Sequence, residues 1–130
     1  MMKAKDEMMT TLRHLALDRK AVCMMREDIS AIEEDIKKEP PAMQREALET
    51  ERTKLLASLE ATEHHIGRLE RLLSLLSSEE QEVVERMIID PYPEVISDLS
   101  DEMGFEPCTV YRLRARALDK LTRLRYGAGA

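Results

Sequence analysis

The stretch that decides the fold runs from Pro93 to Leu121 and reads PEVISDLSDEMGFEPCTVYRLRARALDKL. Apolar residues at helical spacing predict a short helix over about 94–103: Val95, Ile96, Leu99 and Met103. Gly104 suits the position just past a helix end, because glycine adopts the left-handed conformation without strain. Pro107 suits the first position of a second, basic helix that runs to about Leu124. A short helix, a tight turn and a basic helix predict a helix-turn-helix motif.

A third helix is predicted on the N-terminal side of this motif. Ser77 and Glu80 form the pattern of a capping box, in which the hydroxyl accepts an unpaired N–H and the carboxylate reaches back. Four residues supply an apolar face: Val83, Val84, Met87 and Ile88. The helix ends at Asp90-Pro91-Tyr92-Pro93, because a residue before proline avoids the α region. Residues 77–126 are therefore predicted to form a trihelical domain, and residues 127–130 a flexible tail.

Two heptad patterns precede this domain. The first recurs every seven residues over 8–36: Met8, Leu15, Val22, Ile29 and Ile36. The second holds Leu48, Leu55, Leu69 and Leu76 at one position. Pro40-Pro41 end the first helix near 37–39, and the short link favours a long antiparallel, coiled-coil-like αα-hairpin over 1–76. The same stripes also suit a homodimer, so the sequence leaves pairing within or between chains open. The predicted fold class is all-α: this hairpin followed by the trihelical helix-turn-helix domain.

The charge of the chain is distributed unevenly. The 130 residues carry a net charge of −6, which argues against a protein that coats nucleic acid over its whole surface. Residues 77–106 hold ten acids and one basic residue, whereas residues 107–130 hold six basic residues and one acid. Basic charge is thus concentrated on the second helix of the motif, which is typical of a nucleic-acid contact.

Several function classes are not expected. Four glycines and four aromatic residues do not suit Gly-rich phosphate-binding folds or β-sandwiches. The carboxylates occur at helix-surface spacing without a nucleophile, so no enzyme, catalytic residue or cofactor is predicted. Adjacent His64 and His65 diverge by about 100° on a helix, so no metal site is predicted. The chain starts without a signal-peptide pattern and has no apolar run of about 20 residues, which predicts a cytoplasmic protein without a membrane partner. Cys23 and Cys108 are expected to be free thiols.

The exposed face of the basic helix is the predicted binding site for double-stranded DNA. Arg112 and Arg116 lie one turn apart and can fork to guanine in a major groove, and the small Ala115 allows close approach. Thr109 and the outer basic residues suit phosphates. The predicted contacts are Cys108, Thr109, Tyr111, Arg112, Ala115, Arg116, Lys120 and Arg123. Five residues of this helix are assigned to its core side: Val110, Leu113, Ala117, Leu121 and Leu124.

The C-terminal 40% of the chain, about residues 75–127, resembles the −35-reading helix-turn-helix domain of bacterial sigma factors. It is more similar still to sigma-like phage transcriptional regulators of the ArpU/RinA type. The matching segments are Ser78–Glu80, Leu99-Ser100, Met103-Gly104, Thr109-Val110 and Ala117–Leu121. Glu106 departs from the pattern, since the family usually has a Ser-type cap there. The resemblance implies binding to promoter or operator DNA, activation through RNA polymerase, and a phage or mobile-element origin.

Two functions follow as hypotheses. In the first, the protein is a sequence-specific DNA-binding transcriptional regulator whose hairpin sets the oligomeric state or recruits a partner. In the second, the protein is a coiled-coil interaction or adaptor protein whose helix-turn-helix docks protein rather than reading DNA. Salt-sensitive, sequence-dependent DNA binding distinguishes them.

Overall fold

The computed structural model describes residues 3–127, and over that range the chain is built from helices without a strand. The α-helices are α1 (Ala4–Lys37), α2 (Ala42–Leu73), α3 (Ser78–Val84), α4 (Val95–Met103) and α5 (Pro107–Tyr126). A single π-helical turn, Glu85–Ile89, directly follows α3. The all-α prediction is confirmed. Three residues of the predicted tail, 128–130, lie outside the described range. None of the described helices is long and apolar enough to cross a membrane.

The chain divides into two compact units. One unit is Leu17–Gly67, which we call the hairpin unit. The other, which we call the helix-turn-helix unit, contains the residues up to Ala16 and those from Arg68 onward. The helix-turn-helix unit therefore includes the start of α1 and the end of α2 as well as α3, α4 and α5.

Helices α1 and α2 fold back on each other within the chain, as the short link predicted. In the hairpin unit, Nη2 of Arg26 lies 3.0 Å from Oε1 of Glu63, and Oδ2 of Asp18 lies 3.6 Å from Nε2 of His65. Residue numbers thus rise along α1 as they fall along α2, which is the antiparallel arrangement. Three heptad residues of α1 are buried: Val22, Ile29 and Ile32. Their α2 counterparts are half-buried, because a two-helix layer covers each helix on one side only.

The link between the helices takes a left-handed residue. Helix α1 ends at Lys37, and Glu39 has a φ of 54° immediately before Pro40. Glycine usually occupies such a position, because a Cβ atom is strained there. At its other end α2 stops at Leu73, before the predicted break at Ser77, yet Leu76 is still buried.

The predicted capping box opens α3. The Glu80 N–H donates to the Ser77 hydroxyl at 3.2 Å, and the Ser77 N–H donates to Glu80 Oε1 at 3.0 Å. The π turn that follows α3 is a feature the sequence reading did not predict. Its signature is the Asp90 N–H, which donates to the carbonyl of Glu85, five residues back, at 2.9 Å. The wider turn buries Ile88 and Ile89 together.

The turn between α4 and α5 matches the sequence prediction. Gly104 has a φ of 70°, and its N–H and that of Phe105 both donate to the Ser100 carbonyl, at 3.0 and 3.2 Å. The Ser100 hydroxyl donates to the Phe105 carbonyl and holds the turn from the other side. Pro107 occupies the first turn of α5, as predicted. The core beneath this turn consists of four buried residues: Val83, Val95, Leu99 and Val110.

One assignment to the core of α5 is wrong. Leu124 is 50% exposed, whereas Thr122 is buried and donates its hydroxyl to the Leu118 carbonyl at 2.7 Å. The helical wheel assumed that α5 faces the core in one direction along its whole length. In the structure the buried direction turns after Ala117 towards Leu118 and Thr122, which leaves Leu124 in solvent.

Candidate nucleic-acid interface

Helix α5 has one buried face and one exposed basic face. Its buried face consists of Val110, Ala117, Leu118, Leu121 and Thr122. Among the predicted DNA contacts, seven are exposed: Cys108, Tyr111, Arg112, Ala115, Arg116, Lys120 and Arg123. The eighth, Thr109, is half-buried. All eight lie on α5, so the structure places the predicted site on a single helix of the helix-turn-helix unit.

The geometry of Arg112 and Arg116 suits a groove of DNA. They are four residues apart on an unbroken helix, which is about 6 Å along the axis. Ala115 lies beside them and adds no bulk beyond its methyl group. A major groove about 12 Å wide admits an α-helix, and an exposed arginine can then reach a base edge. The buried face of α5 fixes the direction in which this pair points.

Lys120 has a partner inside the unit. Its ammonium lies 2.9 Å from Oε1 of Glu80 in α3, and its side chain is only half exposed. The Glu80 side chain is 3% exposed, so this ion pair links α5 to a buried carboxylate. Sequence reasoning assigned Lys120 to phosphate and missed Glu80, because the two residues meet only in the folded chain.

The carboxylate of Glu80 is held in its charged form. Burial raises its pKa, but the hydrogen bond from Lys120 and those from the backbone and hydroxyl of Ser77 lower it by more, so the pKa lies below its usual value. Its second oxygen, Oε2, is buried without a hydrogen-bond partner among the described residues. The negative charge of Glu80 is therefore stabilised through Oε1, which accepts one hydrogen bond from the Ser77 N–H and one from the Lys120 ammonium.

The single acid of α5 is also paired. Oδ1 of Asp119 lies 3.3 Å from Nζ of Lys5 in the first turn of α1, and both side chains are about half exposed. The sequence gives no signal for this contact, since α1 and α5 are at opposite ends of the chain. Lys5 offsets the one negative charge on the basic helix, so the outer face of α5 is more positive than its own residues indicate.

Arg86 explains why one basic residue stands in the acidic segment. Its guanidinium donates hydrogen bonds to the carboxylate of Glu82 at 3.1 Å and to the carboxylate of Glu102 in α4. It also donates to the hydroxyl of Tyr92, and its central carbon lies 5.7 Å from the centre of the Tyr92 ring. The hydrogen bond to Glu102 raises the pKa of Arg86, and the same bond lowers the pKa of Glu102. Arg86 therefore ties the π turn to α4, the helix that supports α5.

Among residues 3–127, no group of three or more His, Cys, Asp or Glu side chains is placed to hold a metal ion. Comparison of the chain with protein-family models, curated proteins and solved structures finds no match. Function is therefore inferred from the geometry of α4 and α5 themselves.

Proposed function

We propose that this protein is a sequence-specific, double-stranded DNA-binding transcriptional regulator that reads base edges with α5. One observation carries the proposal: Arg112, Ala115 and Arg116 share the exposed side of a helix whose opposite side is buried. Helix α4 and the Gly104 turn support that helix in the order that a helix-turn-helix requires.

The residues of α5 take different roles in this proposal. Arg112 and Arg116 bind base edges, because a guanidinium matches O6 and N7 of guanine. Thr109, Tyr111 and Arg123 lie towards the two ends of the same helix and suit phosphates, which fix the position of a protein on the duplex. Cys108 contributes a small contact beside them. Lys120 holds α5 against Glu80, so we assign it a positioning role alongside any contact with phosphate.

The charges around α5 favour a single orientation on DNA. The segment 77–106, with ten acids, repels phosphate, whereas the basic helix attracts it. Within that segment, Glu80 pairs with Lys120, and Glu82 and Glu102 pair with Arg86. The segment still carries nine more acids than basic residues. We infer that this excess of negative charge keeps the duplex away from the scaffold side and directs it to α5.

The resemblance to sigma-like regulators extends the proposal to the transcription machinery. A domain of that type binds promoter DNA beside RNA polymerase, so we propose that this regulator is a phage or mobile-element activator working with RNA polymerase. The residues on which the resemblance depends include Gly104, which forms the turn, and Val110, which lies in the core.

The test is a selection of random duplex DNA on the purified protein at near-physiological salt, followed by affinity measurements on the enriched sequence. A bidentate arginine–guanine contact contributes about 1–3 kcal/mol of discrimination. Arg112→Ala and Arg116→Ala are therefore each expected to weaken specific binding by roughly 5- to 150-fold. Arg45→Ala is the matched control, because it removes the same charge from an exposed position on α2.

An enriched motif whose binding falls in both α5 variants and not in Arg45→Ala would support the proposal. If the Arg112→Ala/Arg116→Ala double variant binds the motif as tightly as the wild type, α5 is not the reading helix. If the folded wild type binds no duplex even at low salt, the adaptor hypothesis replaces DNA recognition.

A further inference from the structure

Helix α1 exposes a second apolar stripe in the hairpin unit, apart from the residues that pack on α2. Leu17 is 61% exposed and Met24 is 63% exposed, and Ala31 follows at the same spacing of seven residues. Such a spacing places the three side chains in one line along α1. The buried residues of α1 in this unit, such as Val22 and Ile29, occupy a different heptad position.

A line of charges runs beside this stripe and changes sign at its centre. The neighbouring heptad position holds Lys20 before Met24 and Glu27 after it, and both are exposed. In the sequence the same position continues as Arg13 on one side and Glu34 on the other. The order is therefore basic, basic, acidic, acidic, which is complementary to itself when reversed.

We propose that this face of α1 binds a second copy of the same chain, antiparallel, about a two-fold axis at Met24. In that arrangement Met24 packs on Met24 of the other copy, and the large Leu17 lies opposite the small Ala31. Lys20 of each copy lies beside Glu27 of the other, so the contact contains two equivalent ion pairs. A two-fold contact of this kind uses one patch on both subunits.

The charges select the second copy and its direction. In a parallel pair the charged line of one copy lies on the opposite side of the contact from the charged line of the other, so Lys20 and Glu27 form no ion pair with each other. The parallel pair would also place Leu17 against Leu17 and Ala31 against Ala31, which leaves a gap at one end. Reversal of one helix brings the two charged lines to the same side of the contact and closes the gap. These residues are separate from α5, so the proposal stands or fails independently of DNA binding.

Charge exchange tests the pairing in the full-length protein, with sedimentation velocity over a range of concentrations as the measurement. Lys20→Glu and Glu27→Lys each place two like-charge pairs in the antiparallel contact, so each alone is expected to weaken dimerisation by roughly tenfold. An equimolar mixture of the two variants is expected to dimerise like the wild type, because both pairs are then opposite in sign. Lys54→Glu, an exposed lysine on α2, is the matched control and should leave dimerisation unchanged.

Disulfide formation tests the register. In a Cys23→Ser/Cys108→Ser background, Met24→Cys brings two thiols together at the two-fold axis, so an air-oxidised covalent dimer is expected. Leu17→Cys is the control: in the antiparallel register its two thiols are about 21 Å apart along the helices and cannot bridge. Far-UV circular dichroism of each variant checks that the exposed substitutions keep the helices.

Three outcomes would overturn the proposal. One is a wild-type protein that stays monomeric at every concentration, and another is a variant mixture that dimerises no better than its components. The third is equal cross-linking of Leu17→Cys and Met24→Cys, which would indicate a parallel pair. Recovery of dimer in the mixture, together with cross-linking at Met24→Cys alone, would establish the antiparallel contact.

Discussion

The substitution Lys120→Met tests the ion pair that joins α5 to α3. Methionine keeps most of the length of lysine but leaves the Glu80 carboxylate buried with only the hydrogen bonds of Ser77. Removal of one partner from a fully buried ion pair costs about 3–5 kcal/mol. Because the Lys120 side chain is half exposed and partly screened, we expect a smaller loss, about 1–3 kcal/mol in the free energy of unfolding.

The same substitution is expected to change how stability depends on pH. In the wild type the folded-state pKa of Glu80 is below its unfolded value, so its stabilisation is present above the unfolded value and is lost as pH falls through the folded one. Without Lys120 the carboxylate keeps the burial that raises its folded-state pKa and loses two of the causes that lower it, so this pKa is higher in the variant than in the wild type. The variant therefore loses less stability than the wild type as pH falls below the unfolded value, and the stability difference between the two proteins should narrow there.

Urea unfolding followed by tyrosine fluorescence measures this effect. The three tyrosines are Tyr92, Tyr111 and Tyr126, so the signal reports on α4, α5 and their surroundings rather than on the hairpin unit. Lys120→Met/Glu80→Gln is the control, because it removes the titrating group and should abolish the relative gain at low pH. A Lys120→Met protein with unchanged stability and the wild-type pH profile would refute the structural role of this pair.

Three further substitutions test backbone positions. Gly104→Ala is expected to lower the free energy of unfolding in urea by about 1 kcal/mol, because a residue with a Cβ atom is strained at a φ of 70° even though no atom lies within 4 Å of that position. Gly67→Ala is the control: this glycine lies in a helix with equally open surroundings, so the substitution should be neutral or stabilising. Glu39→Gly is expected to raise stability by up to about 1 kcal/mol, measured by far-UV circular dichroism in urea, since it relieves a left-handed glutamate; a loss would show that its side chain matters more than its backbone. Glu106→Ser is expected to raise the free energy of unfolding by about 0.5–1 kcal/mol, because serine can cap α5 where the glutamate side chain makes no capping hydrogen bond. A thermal midpoint of Glu106→Ser no higher than that of Glu106→Ala would contradict this prediction.

Local signals in the sequence predicted most of the fold. The capping box, Pro40-Pro41 and Gly104 each act through atoms within a few residues, so their effect can be read without the rest of the chain. The antiparallel hairpin followed from the length of the link, and in the structure α1 and α2 pair within the chain.

Features that depend on distant residues were not predicted. The pairs Lys120–Glu80 and Lys5–Asp119 join segments whose approach only the folded chain determines. Leu124 was misassigned because a helical wheel contains no information on how the buried direction turns along α5. The assignment of α5 to DNA remains a prediction, which is based on the exposure and the charge of its outer face.

The π turn at Glu85–Ile89 makes the chain tolerant of one change in length at that point. A π turn is an α-helical turn with one residue added, so deletion of a single residue there would restore an ordinary helix. The segment after the turn would keep nearly the same direction relative to α3. The same deletion within the regular helix α5 would instead rotate all later residues by about 100° and shift them by about 1.5 Å. Loss or gain of a residue in this turn would therefore be a length change that a lineage could accommodate without changing the direction in which the α5 arginines point.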